Sequence, residues 1–143
     1  MKYFDFSIEV ERAREDARDD AERLSARTEV GRKLFPGAVR RAGFELFTAD
    51  QEVPWVDGRL LVIAAATWSN PDLEALDQLA QNVEGRSLRV LVLDVDDWSL
   101  ASLRRSFPGV RPPRITPLVI FYQDGELIYS GEGRDAVLWL DQI

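Results

Sequence analysis

Hydrophobic positions along this chain switch between helical and strand-like spacing. Over 8–27, Val10, Ala13, Ala17, Ala21 and Leu24 recur every three or four residues. That period predicts one helix with an alanine-rich apolar stripe, able to pack closely but burying little area. Charged residues of both signs cover its other faces. Pro36 is expected to end any helix before it, with a short helix over 38–42 after it. Phe44 to Phe47 predicts a short edge strand, and Pro54 to Gly58 a turn.

The next run, 60–66, reads Leu-Leu-Val-Ile-Ala-Ala-Ala without a polar residue. An unbroken apolar run of this length marks a strand covered on both faces, as in a parallel pair. Over 71–83 the period returns to helical, with Leu73, Leu76, Leu79, Ala80 and Val83 on one face. A second strand follows at 88–95 and a short helix at 99–107. Strands at 118–122 and 126–129 flank Asp124-Gly125, a strong hairpin signal. Gly131 and Gly133 lead into a last helix over 135–142. A strand–helix–strand unit followed by a hairpin and a helix predicts an α/β fold, a mixed central sheet flanked by helices.

Length changes little in this picture: 143 residues suit one domain with a sizeable core. Charge adds more. The formal net charge of −7 repels phosphate backbones, so no nucleic-acid partner is expected. No apolar stretch is long enough for a signal peptide or a membrane span, so the expectation is a cytoplasmic protein with no membrane partner. The chain has no cysteine and no histidine. Thiolate nucleophiles, disulfides, Cys-ligated metals and imidazole bases are therefore excluded. Ser-His-Asp and Cys-His catalysis fall with them. No enzymatic activity, cofactor or resident metal is expected.

The apolar run 60–66 ends in Thr67-Trp68-Ser69-Asn70-Pro71-Asp72 and turns into a helix. This resembles thioredoxin, in which the same strand ends in Trp-Cys-Gly-Pro-Cys and opens a helix. Ser69 and Asp72 stand where that family has its two cysteines. Other segments are similar in order and spacing: Val92-Leu93-Asp94-Val95-Asp96, Gly109-Val110-Arg111, Thr116-Pro117 before Leu118-Val119-Ile120-Phe121, and the Asp124-Gly125-Glu126 hairpin. The resemblance covers roughly residues 58–143 and implies a thioredoxin-like fold with a cis peptide at Thr116-Pro117. Residues 1–42 would then be a helical N-terminal extension and 43–143 the thioredoxin-like domain. The departures are chemical. Besides the cysteines, Ile63 occupies the place of the family's buried aspartate, and Pro112-Pro113-Arg114 lengthens the approach to Pro117.

What remains is a scaffold without thiol chemistry. Ser69 or Asn70 suits an N-cap, Pro71 the first helical position, and Asp72 and Glu74 the positive helix end. Asp72 is expected to stay ionised there, and no histidine exists to activate Ser69. The family's cis-proline loop presents backbone to an extended peptide, which needs no cysteine. The resemblance thus implies a protein- or peptide-binding module, an adaptor or assembly chaperone. Cysteine-free thioredoxin-like proteins that help mature hydrogenases are a parallel. Its site would comprise Trp68, Ser69, Asn70, Pro71, Asp72, Thr116 and Pro117, with Trp68 partly exposed. Arg111 and Arg114 stand in a locally basic segment able to meet an acidic partner or an anion. Two alternatives stay open. One is a structural, homo-oligomeric protein joined through the N-terminal helix. The other is a carboxylate–metal enzyme at Asp94 and Asp96, which strand alternation would place on one side, leaving Asp97 to cap the next helix.

Overall fold

The computed structural model describes residues 1–143. Its five strands are β1 (Glu45–Leu46), β2 (Arg59–Ala65), β3 (Arg89–Asp94), β4 (Leu118–Gln123) and β5 (Glu126–Glu132). They form one sheet in the order β1-β3-β2-β4-β5. The apolar run sits at its centre. β2 pairs in parallel with β3, as its two-sided hydrophobicity predicts, and antiparallel with β4. β1 lies parallel to β3, and β4 and β5 form the hairpin. This mixed sheet with helices on both faces is a thioredoxin-like α/β fold.

Alternation along β2 divides the core. Leu61 and Ile63 face α3 (Asn70–Asn82) and α5 (Gly133–Leu140), meeting Leu73, Leu76, Ala136 and Leu140. Leu60 and Val62 face the other way, toward α4 (Leu100–Ser106), Trp98 and Phe107. The first of these layers also includes Phe4, Phe6, Val10, Phe35, Ala38 and Val39. The N-terminal residues thus pack into the same core as the sheet. Asp77 on α3 fixes them further, because its buried Oδ1 accepts the Tyr3 and Phe4 amides at 2.5 and 3.1 Å.

The N-terminal helix differs from the sequence expectation. The chain forms α1 (Ser7–Glu15), breaks, and resumes as α2 (Asp20–Arg41). A reciprocal cap makes the break: Asp19 Oδ1 accepts the Glu22 amide at 2.8 Å, and Glu22 Oε2 accepts the Arg18 amide at 2.8 Å. The alanine stripe had too little area to resist it, and Leu24 ends 83% exposed. Pro36 does not stop a helix but lies inside α2. It forgoes one backbone bond, while buried Phe35, Ala38 and Val39 hold the turns around it against the sheet. The helix expected at 38–42 is the last turn of α2.

Smaller shifts follow from caps. The strand expected to reach 95 stops at Asp94, and Val95–Asp97 forms a 3₁₀ turn. Ser99, not Asp97, caps α4, its hydroxyl accepting the Ser102 amide at 3.0 Å. β5 runs on to Glu132, and α5 begins at Gly133, whose φ of 64° suits glycine.

Candidate functional site

β2 ends beside the start of α3, and the loop between them turns on a buried carboxylate. Asp72 is 1% exposed, and its Oδ2 accepts the Ala66 amide at 2.9 Å. The residue at the second cysteine position therefore ties the loop back to the end of the strand. Burial holds this carboxyl above the usual carboxylate range; the Ala66 bond and the neighbouring Thr116 and Ser69 hydroxyls pull the other way. Those hydroxyls do not close a hydrogen bond to Oδ1, which stays unpartnered. Burial thus works against the charge that the helix terminus favours. Ser69 occupies the N-cap position with extended backbone, yet its side chain makes no capping bond.

The Thr116–Pro117 peptide is cis. Pro117 is buried and Thr116 half-buried. Pro117 O accepts the Gly133 amide at 2.9 Å, and Glu132 Oε2 accepts the Arg114 amide at 2.8 Å, so both ends of the loop are held to the turn into α5. The Ile115 side chain lies across Gly133, where its Cδ1 would stand 2.2 Å from an added Cβ. Arg111 and Arg114 are exposed and form no ion pair.

An open groove of about 530 Å³ runs past this loop. Pro71, Glu74 and Gln78 of α3 form one wall, Arg134 and Val137 of α5 the other, with Thr116 and Pro117 between them. Three of the seven expected site residues thus meet in it: Pro71, Thr116 and Pro117. Asp72 lies buried at its head. Trp68 and Asn70 face elsewhere. Trp68 is 47% exposed, and its Nε1–H donates to Asp96 Oδ2 at 3.1 Å. Sequence reasoning missed Arg134 and Val137, because nothing local to α5 signals which loop it will face.

The carboxylates after β3 do not converge. Asp94 Oδ1 accepts the Asp96 amide at 3.0 Å, Asp96 accepts from Trp68, and Asp97 pairs with Arg32 at 2.6 Å. The 3₁₀ turn breaks the alternation that would have set Asp94 and Asp96 side by side, and no group of three His, Cys, Asp or Glu gathers anywhere with metal-holding geometry. Burial raises the Asp94 carboxyl; its bond from the Asp96 amide opposes this, and the neighbouring Asp97 and Asp96 charges add to it.

α2 meets the same region through Gly31. A Cβ there would stand 2.4 Å from Thr67 O, so the glycine lets the helix backbone touch the loop. One residue on, Arg32 reaches Asp97. No helix is long and apolar enough to cross a membrane.

No protein-family model and no curated protein matches the chain. Among solved structures it is similar to a point mutant of thioredoxin from Halobacterium salinarum, at 21% identity over 68% of this chain and 86% of that one, TM-score 0.49. It is also similar to a chain from a structural study of thiol resolution in yeast mitochondrial 1-Cys peroxiredoxin, at 19% identity over 70% and 92%, TM-score 0.49. A third likeness is to ERdj5, at 19% identity over 73% of this chain and 14% of that one, TM-score 0.46. What makes this fold thioredoxin-like is its own strand order and register.

Proposed function

We propose that this cysteine-free thioredoxin-like protein is a protein- or peptide-binding module, an adaptor or assembly chaperone, and not an enzyme. With no cysteine it has no thiol to exchange. The observation that carries the reading is the groove between α3 and α5. Within it the Thr116 N–H and C=O make no internal hydrogen bond. A free backbone donor and acceptor beside an apolar proline suit an extended segment, which gains main-chain bonds there and side-chain contacts along the walls. Glu74 and Arg134 supply charges of both signs for register.

Selection from a displayed peptide library, followed by amide-shift mapping with the selected peptides, tests this. Peptides should shift Thr116, Gly133 and Arg134, and should bind at least about tenfold more weakly to Arg134→Glu or Val137→Asp, a loss of roughly 1.4 kcal/mol. Shifts confined to another face, or steady reduction of an insulin-type disulfide by the pure protein, would refute it.

A further inference from the structure

The groove between α3 and α5 changes sign along its length. Its walls are two helical stripes. Pro71, Glu74 and Gln78 recur at spacings of three and four on α3, and Arg134, Val137 and Asp141 do the same on α5. The two helices run the same way. β2 and β5 are each antiparallel to β4, so they point in one direction, and α3 and α5 turn back from their ends over the same core layer. Shortly past the end of α3, Arg86 donates to the Ile143 carbonyl at 2.6 Å, which ties the far ends of the two helices together.

Arg134 therefore stands at the cis-proline end of the groove, and Asp141 at the opposite end. Asp141 keeps helical backbone, so the regular rise holds to its position. Seven helical residues separate the two, a rise of about 10 Å. Glu74 lies one turn down the facing wall. These three are the only charged residues lining the groove, all are exposed, and none enters an ion pair. The aligned helix dipoles have the same sense, positive at the cis-proline end and negative at the other.

We propose that the segment bound here carries charges of both signs in a fixed order: an acidic residue against Arg134 at the cis-proline, and a basic residue against Asp141. This rests on the reading of the groove as a peptide site. Both charges meet α5, so they share one face of an extended segment and stand an even number of positions apart. Two positions span about 7 Å and four about 13 Å, and long charged side chains close either gap to the spacing on α5. Exposed pairs of this kind add little affinity. Backbone bonds and Val137 hold the segment, and the charges select its register and direction.

Fluorescence anisotropy of the full chain with synthetic peptide pools tests it. One set pairs Glu with Lys two or four positions apart in both orders, and a control set has Gln at the same positions. In low salt the charged set should bind about tenfold more tightly, about threefold from each pair, and high salt should remove the advantage. Arg134→Gln should abolish the contribution of the peptide Glu and leave that of the Lys; Asp141→Asn should do the reverse. Both side chains are exposed, and unchanged thermal unfolding shows that the variants are folded. Equal binding of the two sets, with amide shifts at Thr116 and Gly133, overturns the charge order and leaves the groove standing. No binding by either set overturns both readings.

Discussion

Replacing Gly31 with alanine tests how α2 meets the site. Two opposing terms set the result. Alanine in a helix interior gains about 0.5–1 kcal/mol over glycine, because the unfolded chain loses freedom. Against this, the new Cβ would stand 2.4 Å from the carbonyl oxygen of Thr67, 3.0 Å from its carbon and 3.3 Å from its Oγ1. The nearest of these atoms is backbone of the buried loop that follows the central strand, so it cannot swing away as a side-chain end can. Overpacking of this kind costs about 1–3 kcal/mol, and the shortness of the contact places it in the upper part of that range. The net expectation is a loss of about 1–2 kcal/mol, or about 2–8 °C in Tm for a chain of this size. Gly37, two turns along the same helix, provides the control. A Cβ there meets only Arg41 Nη1 at 3.1 Å and Cζ at 4.0 Å, the end of a flexible side chain. Gly37→Ala should therefore stabilise by about 0.5–1 kcal/mol. Urea unfolding followed by circular dichroism measures both, and amide shifts at Thr67 and Trp68 should move in Gly31→Ala alone. Equal stabilisation by the two substitutions would refute the close approach of α2 to the loop.

Asp72→Asn keeps an oxygen to accept the Ala66 amide but removes the buried charge. The native carboxyl lies above its ordinary value through burial, so the folded state holds the proton longer than the unfolded state. Wild-type stability should thus fall as pH rises from the ordinary aspartate value of about 3.9 through the raised native value, then level off. Asp72→Asn should match wild type below that window and be the more stable of the two above it; a pH-independent difference between the two unfolding curves would contradict this. Asp77→Ala strands the Tyr3 and Phe4 amides, one of them fully buried. It should cost about 1–3 kcal/mol and speed hydrogen exchange at those two amides selectively; unchanged exchange there would show that Asp77 does not hold the N-terminus.

Elements with a strong period and buried area were legible in the sequence. The run 60–66 could satisfy its apolar side chains only at the centre of a sheet, and it became β2. Leu73, Leu76 and Leu79 had to share a face, and they do on α3. Where the apolar signal was weak, local chemistry decided: the Asp19–Glu22 cap outweighed an alanine stripe and split the N-terminal helix. Pro36 shows the reverse, a local breaker overridden because Phe35, Ala38 and Val39 bury against the sheet. At the site, Pro71, Thr116 and Pro117 were legible because their order in the chain matches a known pattern. Arg134 and Val137 were not, because α5 reaches the groove only through the packing of the whole sheet.

The sequence by itself determined what chemistry this protein cannot do. Without cysteine or histidine no fold can restore a thiolate or an imidazole, since composition is independent of conformation. It also determined the central strand and the helix after it, because local periodicity dictates which faces must be covered. Only the tertiary structure decided the burial of Asp72 and the surroundings of Thr67. A carboxyl or hydroxyl has no fixed character of its own. Its proton and its partners depend on how much water the neighbouring elements exclude, and here those elements lie far apart in the chain.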